Sequence, residues 1–317
     1  MDNPIQVQQN NNNQRFENPF NLDPNREDIY IEKKLDRDMF CPFASLFVGF
    51  GEHSRYYGMA YVEPLNESFF HIIEASLFPN STFLQISSIL CYIIIVVFII
   101  VLCFGLDETN LNILLPVRLS TVDSFGSFYP KKIKNNYLEY YRLLTFHFFH
   151  FNFTHLSYNI FSLISFCSFF ELLVKKHIFL LIFFLSGIIT NLSTISIFKE
   201  DERFCGINTD INGTLGAFIM LFIMNWQETK IIFSPWGRFI TLYFLIFYTF
   251  LNTFFYERSS FGNQALRMTS LFIGALIFAI IVKPIKIEKW KSIVRIVSGP
   301  VILIILSISM TSFYLKE

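Results

Sequence analysis

Three polar side chains lie close together in an otherwise apolar stretch of the chain: His150, His155 and Asn159. His155 and Asn159 are four residues apart, so on a helix they share one face. Polar groups are costly in hydrocarbon, and those that persist usually point into a helix bundle or a water-filled cavity. An imidazole and an amide on one face of an apolar helix look like part of an active site. The segments packed against that face decide what the site can do.

The composition indicates an integral membrane protein. Of the 317 residues, 53% are hydrophobic, and only 16% are charged, which is too apolar for an ordinary soluble protein. Lys plus Arg equals Asp plus Glu at 25 each, so no net charge favours a nucleic-acid partner. The five cysteines lack metal-ligand spacing, and we expect neither a metal nor a cofactor.

Seven apolar runs are long enough for the roughly 20 residues with which a helix crosses hydrocarbon. We place them near 86–105, 147–172, 177–197, 213–229, 238–256, 264–283 and 293–315. The predicted fold is therefore an all-α polytopic membrane domain over 86–315. A long connection, 107–146, separates the first two spans and is long enough to have its own structure.

Residues 1–85 form a separate N-terminal region with a polar, Asn-rich start that we predict to be disordered. Apolar residues near 68–78 could form an interfacial helix or a loosely packed juxtamembrane segment. Lys and Arg are concentrated in the loops after the second, fourth and sixth spans, which predicts a cytosolic N-terminus. The organelle is left open, with the secretory pathway or the plasma membrane favoured.

The pattern Tyr141-Arg142 followed by His150-x4-His155-x3-Asn159 resembles the rhomboid family of intramembrane serine proteases. In that family an aromatic-Arg motif in the first loop precedes a second span with the same His and Asn spacing. The resemblance implies a membrane-embedded first loop anchored by Tyr141 and Arg142, and a six-helix core plus one C-terminal helix, the 6+1 arrangement. The Asn, Lys, Ile and Phe usage further resembles an AT-biased, apicomplexan-type source.

In active rhomboids the His and Asn of the second span stabilise the oxyanion, a Ser in Gly-x-Ser-Gly is the nucleophile, and a sixth-span His is its base. Aligned on Gly213 and Gly216, the nucleophile position of this chain is Leu215, which has no nucleophilic atom. The base position is Leu266 when counted from Ala265, or Arg267 when counted from Ser270 and Gly274, the small residues that allow close helix packing. Neither residue can act as a base.

Each of these residues also has a structural interpretation. His155 and Asn159 can be polar residues that satisfy each other or the backbone, and His150 can pin the first loop. Thr214 carries a hydroxyl but lies one residue, about 100° of helix, from the nucleophile position. Arg267 either seeks a partner inside the membrane or extends to the surface.

We therefore predict a catalytically degenerate rhomboid that binds transmembrane segments of single-span client proteins for trafficking or quality control, without cutting them. The first alternative is a divergent endopeptidase that uses Thr214 or an unaligned group. The second is a transporter or channel, which the absence of an inverted repeat argues against. Besides such clients, the expected partner is the lipid bilayer.

Overall fold

The computed structural model describes residues 84–107, 113–198, 201–227, 239, 242–243, 245–250 and 261–315. Among these residues the fold is helical, with two isolated β-bridges and no strand. The predictions for 1–83, including the interfacial helix, lie outside the described residues. The predicted fifth span lies partly outside them, and residues 239, 242–243 and 245–250 within it are helical.

The described α-helices are numbered in chain order. They are α1 (Ile86–Phe104), α2 (Leu119–Phe125), α3 (Pro130–Asn135), α4 (Arg142–Thr145), α5 (Phe153–Ser162), α6 (Ser168–Leu173), α7 (Lys176–Thr194), α8 (Asn208–Met224), α9 (Phe261–Ile281) and α10 (Lys289–Leu315). A π-helical turn, Leu163–Cys167, joins α5 to α6 in one continuous run. Short 3-10 turns at Tyr137–Tyr141 and Phe146–Phe148 flank α4.

Four of the described helices are long and apolar enough to cross a membrane: α1, α7, α9 from Gln264 onward, and α10. In the second predicted span the π-helical turn divides the helical run into α5 and α6, so neither α-helix is long enough by itself. In the fourth, α8 has 17 residues, which is slightly too short. The helical fold and its apolar spans support an integral membrane protein. The 6+1 arrangement remains a prediction.

Two helices begin elsewhere than the apolar runs suggest. The second run becomes α-helical only at Phe153 rather than near 147, because the Asn152 side chain caps α5 by accepting a hydrogen bond from the His155 amide at 2.8 Å. The fourth begins at Asn208 rather than 213. Its polar first turn is buried against other elements, a tertiary effect that hydropathy does not predict.

Helix α8 packs closely against α9, and glycines allow this approach. A Cβ atom at Gly216 would collide with the carbonyl of Leu271, and one at Gly274 would collide with the carbonyl of Gly213. The Ser270 hydroxyl donates a hydrogen bond to the carbonyl of Thr209, one turn nearer the start of α8. The two helix axes are therefore fixed in register.

The first loop has its own structure, built around Arg142. Its side chain is 2% exposed, and Nη1 donates to the carbonyls of Asp123 at 2.9 Å and Ser127 at 2.8 Å. Nε donates to a Glu139 carboxylate oxygen at 2.5 Å. The guanidinium also lies 5.4 Å from the centre of the Tyr141 ring. These contacts hold α2 against the turn that leads into α5.

Candidate functional site

A cavity of about 120 Å³ lies at one end of the helix bundle, where α5 and α8 begin and α7 ends. Its lining is partly aromatic and partly polar. The lining residues are Phe146, Phe151, His155, Asn191, Arg203, Phe204, Cys205, Gly206, Asn208, Thr209, Leu266 and Arg267. The cavity thus brings His155 together with both sequence-predicted base positions.

The polar face of α5 contacts α8 through Asn208. The amide Nδ2 of Asn208 lies 2.8 Å from Nε2 of His155, which accepts the hydrogen bond when Asn208 donates. Gly206 precedes this contact with φ of 100°, and a Cβ at that position would meet the His155 ring. A left-handed glycine is required here because the backbone passes so close to the imidazole.

His155 and Asn159 do not bond to each other. The Nδ2 atom of Asn159 lies 2.9 Å from Nε2 of His150, which belongs to the extended segment just before α5. The rings of His150 and His155 meet edge to face, with centres 4.9 Å apart. All three polar residues are therefore buried in one cluster, although only His155 lines the cavity.

Helix α9 contributes Leu266 and Arg267 from its second turn. Arg267 is 3% exposed and lines the cavity beside His155. Its guanidinium therefore lies within the helix bundle. Leu266 is also buried at the same level of the helix.

Leu215 and Thr214 are placed elsewhere. Both are 1% exposed, and neither lines the cavity. Leu215 belongs to the apolar core, and the Thr214 hydroxyl donates to the carbonyl of Asp210 at 2.9 Å within α8. The α8 residue nearest the polar cluster is Asn208, seven positions earlier, which the sequence reading did not single out. The signal that could have found it is Gly206-Ile207-Asn208, a second Gly-x-polar pattern before Gly213.

The sequence analysis also did not predict a buried pair formed by His147 and Asp210. Nδ1 of His147 lies 2.9 and 3.0 Å from the two carboxylate oxygens of Asp210, and both side chains are fully buried. A Cβ at Gly187 would collide with the Asp210 carboxylate, so α7 leaves room for the pair. The contact ties the 3-10 turn before α5 to the first turn of α8.

The far end of the same run is fixed by Glu171, which is 2% exposed. Its carboxylate accepts hydrogen bonds from the amide of Ile86 at 2.8 Å and from the amide and hydroxyl of Ser87, each at 2.9 Å. A carboxylate at the first turn of α1 also interacts favourably with the helix dipole. This contact joins the first and second spans.

Three of the described residues that line the cavity offer neither a nucleophile nor a base. Asn208 carries an amide, Leu266 has no titratable group, and Arg267 stays protonated. Cys205 and Thr209 also line the cavity, and the Thr209 hydroxyl accepts a hydrogen bond from the Asn191 amide at 3.4 Å. The described part of the chain holds no group of three residues suited to bind a metal.

Comparison with known families agrees with this fold. Residues 137–284 match the family model of the Rhomboid domain, a stretch that runs from the first loop through α9 and covers slightly less than half of the chain. A comparison with curated proteins gives no significant match. Together, the matched segment, the helical membrane fold and the clustered His and Asn residues support the rhomboid family for this chain.

Proposed function

We propose that this protein is a rhomboid-like pseudoprotease that binds transmembrane segments of client proteins without cleaving them. The observation that carries the proposal is the contact of Asn208 with His155 at 2.8 Å, opposite Leu266 and Arg267. Proteolysis by this fold needs a hydroxyl at the α8 position and a base on α9. An amide and a guanidinium supply neither.

We assign Asn208, rather than Leu215, to the position that Ser occupies in active rhomboids. Asn208 is the first residue of α8, and the family nucleophile stands at the start of the fourth span. Its amide reaches the second-span His, whereas Leu215 lies in the apolar core about two turns deeper. Arg267 is the matching base position, because Ser270 and Gly274 continue its side of α9 against α8.

Client binding follows from the same architecture. In active rhomboids a substrate helix reaches the site laterally from the bilayer, and a site without chemistry would keep that recognition step. A polar cavity in an apolar bundle favours a segment that carries a polar or helix-breaking residue. We further propose a cytosolic N-terminus and an apicomplexan-type source for this chain.

The proposal is tested with purified full-length protein in liposomes. We expect no cleavage of a rhomboid model substrate, no labelling by a fluorophosphonate or isocoumarin probe, and measurable binding of the uncut substrate. Cleavage that Thr214→Ala abolishes would overturn the proposal. If the protein binds none of a panel of single-span proteins, the client-binding part of the proposal is refuted and the loss of proteolysis is not.

One observation favours a second candidate, a divergent endopeptidase that uses a thiol. Cys205 and His155 line the same cavity, and a thiolate next to imidazole is a competent nucleophile. Against it, Nε2 of His155 already accepts the Asn208 amide. Cleavage lost in Cys205→Ala and blocked by iodoacetamide would establish this alternative in place of the first.

A further inference from the structure

Helix α10 has a long exposed face, yet one side of its last turns is buried. Ile304 and Ile308 are 58% and 66% exposed, as expected of apolar side chains that face lipid. Phe313 is only 2% exposed. Ser309, on the turn before it, is buried too, with its hydroxyl 3.2 Å from that of Ser196 just after α7. The last two turns of α10 are therefore attached to other parts of the chain.

The main partner of these turns is the first loop. Phe313 belongs to a buried apolar cluster, here called the loop cluster. Its other members are Phe128, Ile133, Leu143, Phe146 and Ile195. Four of these five residues lie between 128 and 146, within the first loop. The loop cluster thus joins the last helix of the chain to the connection between the first two spans.

Two further contacts at the edge of the loop cluster attach α10 to the loop. The hydroxyls of Tyr140 and Tyr314 lie 2.5 Å apart, within hydrogen-bond distance. The ammonium Nζ of Lys134 lies 5.9 Å from the centre of the Phe313 ring, at the limit of a cation–π contact. Apolar packing by Phe313 and a directional contact by Tyr314 together fix the loop against α10.

The loop cluster is also bonded to one wall of the cavity. Phe146, a member of the cluster, lines the cavity, and its carbonyl accepts a hydrogen bond from the Gly206 amide at 2.9 Å. Phe128 exchanges two backbone hydrogen bonds with Phe204, at 2.8 and 2.9 Å. Phe204, Cys205 and Gly206 line the cavity as well. These residues of the α7–α8 connection are therefore held by the first loop.

We infer that the C-terminal end of α10 is a positioning element for the cavity. Phe313 and Tyr314 hold the first loop, and the loop holds the wall formed by Phe146 and residues 204–206. Residues 204–206 are not helical, and an irregular segment opens more readily than a helix unless packing holds it. Loss of the α10 contacts therefore opens the wall while the spanning helices stay packed. This role does not depend on client binding and goes beyond the proposed function.

Cys205 can report on the wall, because it lines the cavity and is 7% exposed. The test measures alkylation by N-ethylmaleimide of full-length protein in liposomes, with mass spectrometry to assign each modified cysteine. Cys167 is the internal reference, since it is fully buried in the apolar core. A buried thiol reacts only when the structure around it opens, so the two cysteines distinguish opening of the wall from opening of the bundle.

Phe313→Ala removes the contribution of α10 to the loop cluster. We expect Cys205 to be alkylated about tenfold faster, because the packing lost on such a truncation exceeds the free energy of a tenfold shift in local opening. Cys167 should stay unmodified over the same time. The matched control is Ile308→Ala, on the exposed face of α10 five residues earlier, which should leave the Cys205 rate unchanged. An unchanged Cys205 rate in Phe313→Ala, an equal rise in the control, or modification of Cys167 on the same timescale would overturn the inference.

Tyr140→Phe and Tyr314→Phe test the same inference and do not depend on whether Phe313→Ala folds. Each variant removes one hydroxyl and should raise the Cys205 rate about twofold, since a partly exposed hydrogen bond contributes little. The double variant should match either single variant, because both changes remove the same contact. If the two effects add, or if neither variant changes the rate, the contact of α10 with the loop does not hold the wall and the inference is wrong.

Discussion

Two levels of helix α8 differ sharply, although they lie on the same helix face about two turns apart. At Asn208 the helix faces a cavity lined by His155 and Arg267. At Leu215 it is buried in the apolar core, next to the glycine at 216 that meets the carbonyl of Leu271. The first level borders a cavity with a partly polar lining, whereas the second holds two helices together. The glycines at 213 and 216 therefore mark the close packing of α8, and the cavity lies nearer the start of the helix.

Introducing a hydroxyl nucleophile and a histidine base should distinguish the Asn208 level of α8 from the Leu215 level by an all-or-none effect. We expect the double variant Asn208→Ser with Arg267→His to be labelled by a fluorophosphonate probe, because both changed positions line the same cavity and the new imidazole can activate the new hydroxyl. Leu215→Ser with Arg267→His should remain unlabelled, since that hydroxyl is enclosed in the core. If the Leu215→Ser variant is labelled and the Asn208→Ser variant is not, the nucleophile position is Leu215.

Substitution at the packing level should cost the most stability. In Gly274→Ala the new Cβ meets backbone atoms of Gly213 that cannot rotate aside, so we expect a loss of about 3 kcal/mol in the free energy of unfolding. The matched control is Gly299→Ala in α10, where nothing lies within 4 Å of the added atom. Thermal unfolding in detergent compares the two, and equal behaviour would contradict the close packing.

Leu215→Ala should have an intermediate effect. Lipid is as apolar as the core, so the loss is mainly of packing contacts, and we expect about 1–3 kcal/mol. Asn208→Ala should cost less, because its side chain borders a cavity. The same unfolding measurement decides the order, and a larger loss for Asn208→Ala would show that its contact with His155 is mainly structural.

The smallest effect is expected for Thr214→Val. The hydroxyl donates to a carbonyl of its own helix and otherwise contacts only a weak partner, the buried Cys167 thiol, so its removal should change stability by less than about 1 kcal/mol. Thermal unfolding in detergent measures the change, and a loss as large as that of Leu215→Ala would show that the Thr214 hydroxyl has a further structural role.

The sequence was most informative where one motif lies within one element. The spacing of His155 and Asn159 places both on the buried side of α5, and the spans near 86, 177 and 293 begin within four residues of helices α1, α7 and α10. Hydropathy was misleading at the start of α8, because Asn208, Thr209 and Asp210 look like a loop. They are helical because Asp210 finds His147, sixty-three residues away, inside the bundle.

The site was predictable only in part for the same reason. The sequence indicated His155 and the pair Leu266 and Arg267, which do line one cavity. Aligning two glycines selected Leu215, whereas the α8 residue that contacts His155 is Asn208. Whether Gly206 or Gly213 is the correct reference for the alignment depends on which turn of α8 faces α5. That is a tertiary contact, and it cannot be deduced from a single sequence.

Glu171 has a practical consequence for dissecting the molecule. Its three hydrogen-bond donors come from Ile86 and Ser87, which lie outside the matched residues 137–284. A fragment limited to the matched residues would leave a charged carboxylate in an apolar bundle with its donors deleted, a situation that costs several kcal/mol. The smallest piece of this chain expected to insert and fold unaided must therefore start before residue 86, about fifty residues ahead of the recognisable family segment.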